Sequence, residues 1–164
     1  MKTAVIYYSY DGNCGLIAEL LKTALKADVF EIKTVDRKRR EGFFKILWGG
    51  AQVVFKKKPA LQPLPAEIDS YDLLVLGTPV WAGSPAPAMV SFLCEKNNSG
   101  EKKISGKKIA LFCCHGGGMG EVFNKFKALL PGNTFAGEID FKEPSKGNRS
   151  EHEEKIKGWV KSLG

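Results

Sequence analysis

Apolar positions along this chain fall into two kinds of run. Residues 2–8, 28–32, 71–77, 108–114 and 134–141 are short, nearly continuous and rich in β-branched and aromatic side chains. That pattern predicts five strands, mostly buried on both faces. Between them the apolar positions recur every three or four residues, which predicts helices. In residues 13–26 the stripe is Leu16, Ile17, Leu20, Leu21 and Ala24. Pro85 and Pro87 suit the first turn of a helix that carries Met89, Phe92 and Leu93 inward. Val122, Phe123, Phe126, Leu129 and Leu130 form the next stripe, which stops at Pro131-Gly132. Ile156, Trp159, Val160 and Leu163 form the last, with Ser150 as its expected cap and Glu153 three residues on, as in a capping box.

Residues 33–66 break this rhythm. Phe43, Phe44, Leu47, Trp48, Ala51 and Phe55 have roughly helical spacing, interrupted by Gly49-Gly50, and prolines follow at 59, 63 and 65. A helix and an extended connector are expected. The helix either packs on the sheet or, since long connections are often functional, covers a ligand or offers a partner-docking surface. Strands alternating with helices predict an α/β, three-layer sandwich with a five-stranded parallel sheet, one domain spanning residues 1–164.

In such a sheet, ligands bind beyond the carboxyl ends of the strands, where the strand order reverses. Three strand exits are rich in small residues: 9–14, 78–83 and 114–120. The first follows a strand and opens a helix. That geometry offers a phosphate a ring of backbone N–H groups and a positive helix end. Ser9, Asn13 and Cys14 add side-chain donors, and Gly12 lets the backbone approach closely.

Ser9-Tyr10-Asp11-Gly12-Asn13-Cys14 resembles the phosphate-binding loop of flavodoxins, Ser/Thr-x-Thr-Gly-Asn-Thr, with Asp11 and Cys14 in place of threonines. A carboxylate at position 11 would repel a phosphate unless it points away. Thr78-Pro79-Val80-Trp81-Ala82-Gly83 resembles the family's loop beside the isoalloxazine ring. Cys114-His115-Gly116-Gly117-Gly118 resembles its glycine-rich loop at the pyrimidine side. The resemblance covers almost the whole chain. It implies the short-chain flavodoxin-like order 2-1-3-4-5 and FMN as cofactor, held by all seventeen of these positions. By the same resemblance Trp81 stacks on or edges the ring, Ala82-Gly83 lies near its N5, and Thr78 joins the phosphate loop. His115 is expected to contribute only its backbone. The third loop has no second aromatic residue, so either the ring is more open on that side or Trp48 or Phe55 of the 40–60 segment helps cover it. The implied function is an electron-transfer protein carrying electrons between redox partners. The alternative is an FMN-dependent NAD(P)H:quinone reductase of the same fold. A phospho-signalling receiver is excluded, since Thr78 stands where that fold needs an aspartate after strand three.

Charge and cysteine usage narrow the picture. Net charge is +7, where typical flavodoxins are acidic, so partners with acidic patches are expected. The basic clusters lack aromatic interleaving, which argues against nucleic acid. No C-x-x-C pair occurs among the 4 cysteines, and that argues against zinc. Cys14 at a helix start is expected to have a lowered pKa in the absence of phosphate. Cys113 and Cys114 should point to opposite faces of their strand. No apolar run is long enough for a membrane span or leader, so a cytoplasmic protein, monomer or homodimer, is expected.

Overall fold

The computed structural model describes residues 1–35, 58–65, 67–98 and 104–164. The helix expected in the 40s and 50s, with Trp48 and Phe55, lies outside these residues. In chain order the elements are β1 (Thr3–Tyr7), α1 (Asn13–Leu25), β2 (Asp28–Glu31), β3 (Leu73–Trp81) and β4 (Ser84–Pro85). They continue with α2 (Pro87–Asn98), β5 (Lys108–His115), α3 (Val122–Ala128), β6 (Thr134–Lys142) and α4 (Arg149–Ser162). The parallel sheet runs β2-β1-β3-β5-β6, the expected five-strand order with β5 and β6 as its fourth and fifth members.

Alternation along the strands sorts the core into two layers. Ala4, Ile6, Leu74, Leu76, Leu111 and Cys113 face Met89, Phe92, Leu93 and Phe126 of α2 and α3. Val5, Tyr7, Val75, Phe112 and Cys114 face Ile17, Leu21, Ile156 and Leu163 of α1 and α4. Cys113 and Cys114 thus do lie on opposite faces.

Several boundaries differ from expectation, each for a local reason. The buried stripe of α1 includes Cys14, Ile17, Ala18 and Leu21, whereas Ala24 is exposed. The stripe therefore begins one turn earlier than the leucines suggest. Strand β3 runs on through Trp81, because residues 80–81 pair antiparallel with Pro85 and Ser84. Pro85 is thus an edge-strand residue, and Pro87 alone opens α2. The register of β6 slips between Ile109 and Ala110, where Ala136 is the extra residue of a bulge. Helix α4 is capped by Asn148, whose side chain accepts from the Ser150 N–H; Ser150 is already inside the helix. The connector's end is extended as expected, with Leu61 bridging Thr34 beyond β2.

Candidate functional site

All five long strands are parallel, so the exits of β1, β3 and β5 share one edge of the sheet. The three predicted loops leave from there and touch. Trp81 meets Tyr10 edge-to-face at 5.5 Å and Tyr8 at 6.4 Å between ring centroids. A Cβ on Gly120 would stand 2.7 Å from the Gly83 Cα, so the second and third loops meet backbone to backbone. Only glycine on one side permits that approach.

The first loop turns at Gly12, with φ +90, and α1 starts at Asn13. The Ser9 hydroxyl is buried and accepts from the Gly15 N–H at 3.3 Å, leaving its own proton to donate. The Asn13 side chain accepts from the Ser145 N–H at 2.9 Å, which ties the loop to the turn after β6. Asp11 does not point away. Its carboxylate accepts from the Asn13 backbone N–H at 3.0 Å and from the Asn13 amide at 2.7 Å. The loop therefore already holds an anion, the carboxylate of its own chain.

Cys14 does not join this donor set. Its thiol is buried in the layer with Cys114, and burial pushes its pKa well up rather than down. Desolvation outweighs the helix end here. Cys114 is buried in the same layer. Thr78 is fully buried, accepts from the Ala86 N–H at 2.9 Å and donates to the Pro79 carbonyl. Its hydroxyl serves the β3–β4 hairpin instead of the phosphate loop. Pro79 is buried, and Val80 half-buried, on the same strand.

The hairpin's two-residue tip, Ala82 and Gly83, has φ +47 and +67. Positive φ at both central residues marks a type I′ turn. Ala82 is exposed. In the third loop His115 is bound beyond its backbone: Nε2 lies 3.0 Å from Asp140, while Nδ1 is buried with no hydrogen-bond partner among the described residues. Gly116, Gly117 and Gly118 are exposed, and among the described residues nothing beyond their chain neighbours lies within 4 Å of where a Cβ would be. Sequence patterning does not mark Ser145 or Asp140, which hold Asn13 and His115 from β6 and the turn beyond it. Gly120 was legible only as one more glycine of its loop.

Residues 1–134 match the model of the family described as NADPH-dependent FMN reductase. The chain belongs to that family. It is a flavodoxin-like flavoprotein whose cofactor is FMN. No curated protein matches it in sequence. Among solved structures, it is similar to a flavoprotein in complex with FMN from Lactobacillus acidophilus, at 23% identity and TM-score 0.63, covering 85% of this chain and 92% of that one. Oxidised flavodoxin 2 from Bacillus cereus is similar at 20% identity and TM-score 0.64, over 99% and 97% of the two chains. Two-electron reduced flavodoxin from Megasphaera elsdenii is similar at 19% and 0.57, over 97% and 98%. Among the described residues no helix is long and apolar enough to cross a membrane.

The loops of this chain suit FMN chemically. The first already accommodates an anion on its donors, and the glycines of the third leave open space beside their backbone.

Proposed function

We propose that this FMN-binding protein is an electron carrier of the flavodoxin kind. In this reading Ser9, Asn13 and the N–H groups opening α1 hold the phosphate. Trp81, braced by Tyr8 and Tyr10, lies against the ring. Backbone N–H groups of Gly116, Gly117 and Gly118 bind its pyrimidine edge. Bound FMN supplies reversible redox chemistry in one- or two-electron steps.

The observation that carries the reading is the tip of the β3–β4 hairpin. Ala82 and Gly83 form its two-residue turn, and Gly120 packs directly against Gly83. A peptide fixed there tunes a ring by hydrogen bonding without blocking its edge. Ala82 and Gly116–Gly120 are exposed, so a protein partner can approach that edge closely. Partners with acidic surfaces would complement the net charge of +7.

A second reading has its own support, since the matching family is described as NADPH-dependent FMN reductase. The chain would then oxidise NADPH itself and pass electrons to a quinone or to free flavin. One experiment separates the two. Flavin uptake is followed by absorption, and NADPH oxidation is then measured with a quinone or free FMN as acceptor. Tight uptake with slow turnover supports the carrier. Rapid, sustained NADPH oxidation supports the reductase and removes the carrier reading.

A further inference from the structure

The carboxylate in the first loop is the least expected feature of the site. Asn13 is fixed from one side by the Ser145 N–H on its Oδ1, which turns its NH2 toward Asp11. Its backbone N–H, at the start of α1, goes to the same carboxylate. The backbone N–H and one of the two amide N–H bonds of Asn13 are thus held by one side-chain anion. Among the described residues no cation forms an ion pair with Asp11.

We infer that Asp11 is a built-in competitor for the flavin's phosphate, making FMN exchangeable and weakening the preference for FMN over uncharged riboflavin. This rests on the reading of the first loop as the phosphate site. A phosphate that takes these two Asn13 N–H groups must first displace the Asp11 carboxylate. It then lies within a few ångströms of a like charge. The ring and ribityl chain meet no such opposition. The penalty therefore falls on the phosphate alone, and it is a penalty on affinity with no part in electron transfer.

The test compares FMN and riboflavin dissociation constants for the wild-type apoprotein, Asp11→Asn and Asp11→Thr, by quenching of flavin fluorescence. Asp11→Asn keeps an acceptor for the Asn13 N–H, so the loop retains its shape while losing the charge. FMN should bind at least about tenfold more tightly to both variants, the scale of a charge-assisted hydrogen bond. Riboflavin should change less than about twofold, because it carries no phosphate to repel. Unchanged or weaker FMN binding by both variants, with riboflavin still bound, overturns the role of Asp11 and leaves the flavin site standing. Equal tightening of both flavins also overturns it, since the effect would then lie in loop shape. If no variant binds either flavin, the flavin reading falls and this inference falls with it.

Discussion

Ala82 holds a left-handed backbone, φ +47, at a hairpin position where asparagine or glycine is usual. Ala82→Asn creates the favoured Asn-Gly pair and should raise unfolding free energy by about 0.5–1 kcal/mol, read from urea denaturation. Gly120→Ala does the reverse. Its Cβ would be driven to 2.7 Å from the Gly83 Cα. It should destabilise by roughly 1–3 kcal/mol and weaken FMN binding through the displaced tip, whereas Gly118→Ala, with open space around it, should spare stability. Two titrations bear on stability at the ends of the pH scale. Burial, then Glu31 and Glu19, push the Tyr7 hydroxyl up to about 12 from 10.0. The folded state keeps a proton that the unfolded chain releases, so stability should be full below pH 10 and fall by on the order of 2 kcal/mol toward pH 12. For Asp140, burial pulls upward, but His115 and Lys155 outweigh it and hold the carboxyl below its ordinary 3.8. Its contribution is present above that value and is lost as pH falls through the lowered one. Urea midpoints measured from pH 3 to pH 11.5 check both; a flat alkaline limb would refute the Tyr7 assignment.

Elements were legible where a single period governed them. The continuous apolar run of β1, buried on both faces, and the stripe of α2 could be read directly because each follows one rule along its length. The misread ends are those settled by partners distant in sequence or by local side-chain geometry. Trp81 became strand only because Ser84 pairs back to it, and nothing in residues 71–77 announces that. Cys14 looked like a loop donor from its neighbours, yet it lies three residues before Ile17 and joins the same buried stripe. At α4, Ser150 and Glu153 match a capping-box spacing, but Asn148 takes the cap and Glu153 pairs with Arg149 at 3.0 Å. Asn148→Ala should therefore cost about 1 kcal/mol, while Ser150→Ala should cost far less. Equal losses in chemical denaturation would return the cap to Ser150.

Across the whole molecule, the alternation of strands and helices gave the parallel α/β class, while the strand order was expected only from the resemblance of the three loops to flavodoxins, and the sheet has that order. How the three loops are braced did not follow, because the bracing comes from Gly120, Asp140 and Ser145, far along the chain from Gly83 and Asn13. Charge is also a property of this scale. A net +7 on 164 residues creates a field that extends about one Debye length, roughly 10 Å at 0.1 M salt. If that field reaches the exposed edge formed by Ala82 and the third loop, it steers anionic oxidants inward and turns cationic ones away. The FMN-loaded protein, chemically reduced, should then be oxidised by ferricyanide at a rate that drops at least about tenfold as salt rises from low to high. Hexaammineruthenium should show the opposite slope. Opposed slopes would support docking of acidic redox partners at this edge. Matching, salt-insensitive rates for the two probes would mean that the positive charge lies away from the site, and partner choice would then have to come from shape and apolar contact instead.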